Sequence, residues 1–412
     1  GEVWLCSGQS NMEFPVDRDT TSRWKNAMTT VKEELQNADY PEIRFFRVEH
    51  QLAPDAPADD CSGVWEVCTP ATAARFSAVG FIFGRKIHNE IHRPVGLIQS
   101  TWGGTHAESW TKKEAMQGVY YDNLRAEQKR IIENAPAEKK RYEREIAAYK
   151  TAKAINPDTV LKTPAKAKKL NDNLRMSTLW NGMINPILPY TIKGVIWYQG
   201  EDNWNRAHTY ADMFTTLING WRAEWKQGDF PFYYCQIAPY DYGIITEKGK
   251  EVINSAYLRE AQAKVEHRVP NSGMAVLLDA GMEKGIHPAK KQIAGERLAL
   301  LALTKTYGIE GVNGESPYYK SMEIKNDTVI VSFERAKMWI SGKNCFESKN
   351  FEVAGEDRVF YPAKAWIERS KILVKSEHVP HPVAVRYGFK NYVEGDVYCD
   401  GLPLGSFRSD NW

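Results

Sequence analysis

Short apolar runs, each closed by a polar or glycine-rich turn, recur along most of the chain. Residues 3–6, 42–48, 63–68, 95–100, 192–198, 230–238 and 274–279 read as buried or half-buried strands. Between them apolar residues fall at helical spacing. Phe76, Val79, Phe83, Ile87 and Ile91 mark a helix over 76–91 that Pro94 ends, and similar patterns cover 22–37, 210–225, 251–267 and 291–306. Strands alternating with helices predict an α/β fold: a doubly wound, mostly parallel sheet with helices on both faces. From about residue 320 the period changes to strict alternation over 321–333. Short strand candidates follow at 358–361, 365–368, 371–375 and 383–387. We therefore expect a catalytic-type α/β domain over 1–315 and a small, β-rich accessory region over 316–412.

Residues 114–175 break the alternation. They are dense in Lys, Arg, Glu and Ala with few large apolar residues. One reading is a basic surface for an acidic partner. The plainer reading is an exposed helical excursion, because opposite charges are interspersed and no aromatic residues alternate with them as nucleic-acid binding would require.

The 412 residues suit two or three domains, and the formal net charge of +2 gives no argument for a polyanionic partner. No apolar run approaches the roughly 18 residues of a membrane span. Six cysteines form no metal-like spacing. Cys6 and Cys235 lie in apolar runs, and Cys61 and Cys68 could close a short loop in an exported protein. A central strand is rarely the first thing in a chain, which predicts a segment upstream of Gly1.

The chemistry concentrates where apolar runs end. Ser10 follows the first strand after a Ser-Gly turn, where a hydroxyl can be exposed to substrate. The alternative is an N-cap for a helix beginning near Asn11. The strand at 95–100 ends in Gly103-Gly104, and the strand at 192–198 ends in the polar turn 199–203. In a parallel sheet these ends gather along one edge. A nucleophile would then lie beside backbone and side-chain donors, as acyl transfer requires.

Such a serine needs a base. His287, between a strand and a helix, is the best candidate. Its orienting acid would be Glu283 or Asp279, unless a backbone carbonyl holds it as a dyad. His88 and His92, four apart on a helix, could ligate a metal, but no third ligand accompanies them. His106 could touch substrate, and His378 and His381 read as structural.

Taken together these residues resemble the sialate O-acetylesterase family, a branch of the SGNH hydrolases. The resemblance rests on Trp4-Leu5-Cys6-Ser7-Gly8-Gln9-Ser10-Asn11-Met12, Trp102-Gly103-Gly104-Thr105, Glu108-Ser109-Trp110 and Trp180-Asn181-Gly182-Met183-Ile184. It continues through Trp197-Tyr198-Gln199-Gly200-Glu201, Leu258-Arg259-Glu260-Ala261-Gln262, Ile286-His287-Pro288 and the tail motifs Pro382 to Tyr387 and Gly401 to Arg408. It implies Ser10 as nucleophile and His287 as general base and acid. The implied oxyanion donors are the Ser10 N–H, Gly103 or Gly104, and a side-chain amide, Gln199 first and Asn203 second. Many relatives carry Asp two residues before the histidine, where this chain has Gly285, which leaves Glu283 as a candidate third member.

The implied activity is serine esterase removal of O-acetyl groups from sialic acid through an acetyl-enzyme, with no cofactor and no metal. The partner is then a small molecule or glycan bearing O-acetyl groups, with no nucleic acid and no membrane span, in a periplasmic, secreted or lysosome-like compartment. The alternatives are another acetylated carbohydrate such as acetylxylan, or a carbohydrate-binding protein without turnover. Trp102, Trp110, Trp197 and Trp204 could be sugar platforms or core residues. Arg259 or Arg75 could meet the sialic acid carboxylate.

Overall fold

The computed structural model describes residues 1–17, 27–158, 160–167, 169–247, 250–335, 341–342, 347–368 and 370–412. Its first part is built on nine strands. In chain order they are β1 (Glu2–Gly8), β2 (Tyr40–Arg47), β3 (Trp65–Cys68), β4 (Val95–Thr101), β5 (Gly194–Tyr198), β6 (Phe232–Cys235), β7 (Ile245–Glu247), β8 (Lys250–Ile253) and β9 (Ser272–Ala275). Seven of them form one sheet in the order β3-β2-β4-β1-β5-β6-β9. All its pairings are parallel except that of β3 with β2. β7 and β8 form a separate hairpin.

β1 is central, with β4 on one side and β5 on the other. It is where the chain's winding reverses direction across the sheet, the place where open α/β sheets hold their ligands. Its side chains serve both faces, as period-two alternation requires. Leu5 packs into the core shared with helices α6 (Ala207–Trp225) and α7 (Ser255–Arg268). Trp4 and Cys6 pack into the opposite core, with α4 (Ala78–Ile91) and α8 (Lys291–Lys305). All three are fully buried, which accounts for a continuous rather than alternating apolar run.

The other helices depart from this pattern. α1 (Ser10–Glu13) is a single turn, and α2 (Val31–Gln36) occupies the end of the expected helix over 22–37, whose residues 22–26 lie outside the described residues. α3 (Pro70–Ala74) precedes α4, whose N-terminus is capped by the Ser77 side chain accepting from the Gly80 N–H. α5 (Val119–Ile155) runs for 37 residues with only Tyr121 buried. It is an exposed helical excursion carrying i,i+4 ion pairs such as Lys129–Glu133 and Arg141–Glu145.

Among the described residues, seven of the C-terminal strands form an antiparallel sheet whose neighbours run from Tyr318–Lys325 at one edge to Phe407–Arg408 at the other, and Ser341–Gly342, Val397–Cys399 and Leu402–Pro403 form a separate three-stranded sheet. Arg259 of α7 fastens it to the first part. Fully buried, it donates to the carbonyls of Gly388 and Asn391, to that of Lys390, and to the hydroxyls of Ser255 and Ser406. Arg408 of the sheet pairs with Glu260 of α7 at 3.2 Å.

Several boundaries differ from expectation. The last parallel strand is Ser272–Ala275 rather than 274–279, because β6 supplies no partner beyond the Cys235–Ala275 pair. Residues 251–253 belong to β8, and α7 starts only at Ser255, where Asn254 caps it. The candidates at 358–361 and 365–368 are one strand, Phe360–Glu368. Cys61 and Cys68 are free thiols and do not close a loop; Cys68 Sγ donates to the Ala38 carbonyl at 3.5 Å. Cys345 lies outside the described residues. Among the described residues no helix is long and apolar enough to cross a membrane.

Candidate active site

Three strand ends converge as their turns predict. The Gln9 N–H donates to the Tyr198 carbonyl of β5 at 2.9 Å, and the Trp102 N–H donates to the Gly8 carbonyl of β1 at 3.1 Å. Gly8 makes this possible. It sits at φ +136°, and a Cβ there would come within 2.2 Å of the Tyr198 carbonyl oxygen. Gln9 then fastens the first turn to the third. Its side-chain oxygen accepts from the N–H groups of Gly200 (3.3 Å) and Asp202 (3.4 Å), and its amide donates to Asp202 Oδ2 at 2.6 Å.

Ser10 is the first residue of α1, not its cap: Gln9 occupies the cap position and α1 has no side-chain cap bond. The capping alternative for Ser10 is thereby removed. Ser10 is 8 % exposed, and among the described residues no hydrogen bond engages its hydroxyl. The second turn is set by Thr105, whose hydroxyl donates to the Trp102 carbonyl and accepts from Trp110 Nε1. Gly103 and Gly104 differ. The Gly103 N–H donates to Glu13 Oε2 at 2.5 Å. Gly104, exposed at φ +69°, has an N–H that no described residue accepts.

The two amide candidates also separate. Gln199 is fully buried. Its Nε2 donates to the Thr105 carbonyl (3.0 Å) and to Asn203 Oδ1 (2.7 Å), while its oxygen accepts from the Tyr210 hydroxyl. Both amide hydrogens are spent inside the fold, so the expectation that Gln199 presents its amide to substrate is corrected: it braces the turns. Asn203 donates one amide hydrogen to Glu108 Oε2 at 3.0 Å and keeps the other.

His287 is half-buried, in the turn before α8. Asn11, the residue after Ser10, holds that turn by donating to the Ile286 carbonyl at 3.0 Å. The same amide nitrogen donates to Glu201 Oε1 at 2.5 Å, and its oxygen accepts from Lys291 Nζ at 2.7 Å. Lys291 Nζ also donates to the Pro288 carbonyl at 2.5 Å and sits 4.6 Å from the centre of the Phe14 ring. Burial drives Glu201 up to about 7 and Lys291 down to about 7, each opposed by the other's charge. The other Glu201 oxygen, Oε2, is buried with no partner among the described residues.

The remaining candidates are dispersed. Glu283 is exposed, its carbonyl accepts from the Asp241 N–H, and no described residue engages its carboxylate. Asp279 is held bidentately by Arg297 at 2.6 and 2.7 Å. Burial, with Arg206 adding, lowers His106 to about 4. His88 Nδ1 bonds the Arg93 carbonyl at 2.9 Å, and among the described residues no group of three ligating side chains could hold a metal. Trp110 and Trp197 are fully buried core residues. Trp102 is half-buried with His50 stacked on it at 4.0 Å, and Trp204 tilts over Tyr242 at 5.6 Å. Arg259 is consumed by the C-terminal sheet, and Arg75 pairs with Glu66 on the edge strand β3. Arg206, near the turn at 199–203, reaches the buried Glu108 at 3.4 Å.

Sequence reasoning passed over Asn11, Glu108, Glu201 and Lys291. For Lys291 a signal existed: an ammonium in the first turn of a helix sits against the positive end of its dipole. Such a misplacement marks a residue held there for another reason.

The chain matches the sequence model of the family described as "Carbohydrate esterase, sialic acid-specific acetylesterase" over residues 1–143 and 167–292. It is 30 % identical to the sialate O-acetylesterase of Rattus norvegicus over 376 residues, covering 86 % of this chain and 65 % of the relative. It is likewise 30 % identical to that of Mus musculus, over 79 % of this chain and 60 % of the relative. The chain thus spans under two thirds of those proteins' length. A carbohydrate acetylesterase from Xanthomonas citri has a similar structure, with TM-score 0.80 and 30 % identity over 100 % of this chain and 81 % of that one.

Proposed function

The chain belongs to the sialic acid-specific acetylesterase family of carbohydrate esterases, and from that premise we propose that it removes O-acetyl groups from a sugar, sialic acid foremost, through an acetyl-enzyme on Ser10. The observation that carries this reading is the site's construction. An unencumbered serine stands at the end of the central strand, and the residue after it grips the loop bearing His287.

In this reading Ser10 Oγ attacks the acetyl carbonyl carbon and His287 takes its proton. The sugar hydroxyl leaves with that proton. Water, activated by His287, then attacks the acetyl-enzyme and releases acetate. The oxyanion meets the N–H groups of Ser10 and Gly104 and the remaining amide hydrogen of Asn203. Gly103 and Gln199 are left out because their N–H groups are already donated. With Asp279 bound to Arg297 and the Glu283 carboxylate exposed, we assign His287 no side-chain acid from these two. Trp102 and Trp204, half-buried beside the turns, are the sugar platforms, and Arg206 is the arginine placed to meet a substrate carboxylate. The chemistry belongs to residues 1–315 and an accessory role to 316–412. An exported or lysosome-like compartment is part of the same reading.

The test is hydrolysis of 4-nitrophenyl acetate, 9-O-acetylated sialic acid and acetylxylan. Faster turnover of the sialic acid ester, lost in Ser10→Ala, is expected. Preference for acetylxylan would move the substrate to a neutral polysaccharide. No turnover of any ester would leave a carbohydrate-binding protein.

A further inference from the structure

The buried polar chain beneath the Ser10 turn has more chemistry than packing needs. Lys291 Nζ has three hydrogens and three destinations: Asn11 Oδ1, the Pro288 carbonyl and the face of Phe14. Asn11 in turn donates to the Ile286 carbonyl and to Glu201. The carbonyls of Ile286 and Pro288 flank His287 on both sides. Two side chains, one from the Ser10 turn and one from the α8 terminus, therefore clamp the loop at the peptide unit before the histidine and at the one after Pro288.

A merely structural contact would not be built this way. A buried ammonium and a buried carboxylate are costly to desolvate, and well-packed apolar groups of the same volume usually stabilise as well or better. Lys291 and Glu201 are both nearly inaccessible, at 1 % and 3 % exposed. The lysine also opposes its own helix dipole. What an apolar substitute could not supply is direction: hydrogen bonds that fix the loop's height and rotation relative to Ser10.

We propose that Asn11 and Lys291 are positioning residues of the esterase reaction, holding the Ile286 and Pro288 carbonyls, and with them the loop that carries His287, in register with Ser10. The proposal rests on Ser10 and His287 being the nucleophile and base. Glu201 acts through Asn11, orienting its amide so that one edge faces the loop and the other faces Lys291. Catalysis is sensitive to such registers, since a misplacement of about 1 Å can cost about 10²-fold in rate.

The experiment measures kcat and KM separately on 4-nitrophenyl acetate for the whole chain and for Lys291→Met, Asn11→Ala, Lys291→Met/Glu201→Gln and Ser10→Ala, with thermal unfolding of each. The expected result is a kcat lower by about 10²-fold in Lys291→Met and Asn11→Ala with KM unchanged. The double variant, which leaves no unpaired charge buried, should regain thermal stability without regaining kcat. A folded Lys291→Met or double variant with kcat within about threefold of wild type overturns the proposal, because stability alone would then be what the lysine serves. Should Lys291→Met not fold, the double variant decides by the same criterion. If instead Ser10→Ala keeps wild-type turnover, the nucleophile assignment fails and the positioning proposal falls with it; that outcome is told apart by the Ser10 variant alone.

Discussion

Two regions of this molecule are rich in charge, and they use it in opposite ways. α5 spreads its lysines, arginines and glutamates over the surface, where Arg141 reaches Glu138 and Glu145 with all three side chains partly exposed to water. At the carboxyl edge of the sheet, Glu108, Glu201 and Lys291 are withdrawn from water, and their bonds run to the first and third turns and the His287 loop. Exposed pairs of the first kind contribute little, because water and salt screen them and side-chain entropy opposes them. Buried groups of the second kind are expensive, so their presence needs a reason. Charge density along a sequence therefore says little about where the chemistry lies; its burial says much more.

That contrast can be broken or sharpened experimentally. The largest effect is expected for Ser10→Ala and His287→Ala, each losing about 10³-fold or more in kcat on 4-nitrophenyl acetate if the assignment holds. Retention of most of the rate by either would move the chemistry elsewhere along the edge. Asn203→Ala should cost about 10²–10³-fold in kcat as an oxyanion donor. A purely structural Asn203 would instead lower the melting temperature while the folded fraction kept its turnover.

A smaller, pH-dependent effect concerns Glu201. Its folded value near 7 lies above its ordinary value of 4.5 because burial disfavours the anion. Between those limits the native state binds more protons than the unfolded chain, so this group's stability contribution is complete below about pH 4.5 and is lost as pH rises through 7. Thermal unfolding of Glu201→Gln beside wild type should show the variant gaining ground over that window, and parallel curves would contradict it. The smallest effect belongs to α5. Arg141→Ala should change neither melting temperature nor turnover measurably, and a clear loss of activity would make that helix part of the functional surface.

Much of the frame is legible in the sequence. Buried parallel strands read as unbroken apolar runs, amphipathic helices as 3.6-residue periods, and the tail as alternation, since each pattern depends only on neighbours along the chain. The place of Ser10 just past the end of the first strand is legible for the same reason, as strand, glycine and serine are contiguous. Where a boundary slipped, as at β9, a neighbouring strand decided the length, and Cys235 had no further partner to offer.

The partners of polar groups were not legible. Asn11 and Lys291 lie 280 positions apart, and nothing in either local context names the other. Gln199 looked free at a strand end until the fold brought Thr105 and Asn203 within reach of both its hydrogens. Arg259 looked like a candidate for substrate until the C-terminal sheet surrounded it with carbonyls. Periodicity in the chain determines which faces are buried, because burial follows from apolar area and spacing. Whether a buried polar atom is spent or available depends on which distant group folding delivers to it, and that was decided only by the tertiary structure.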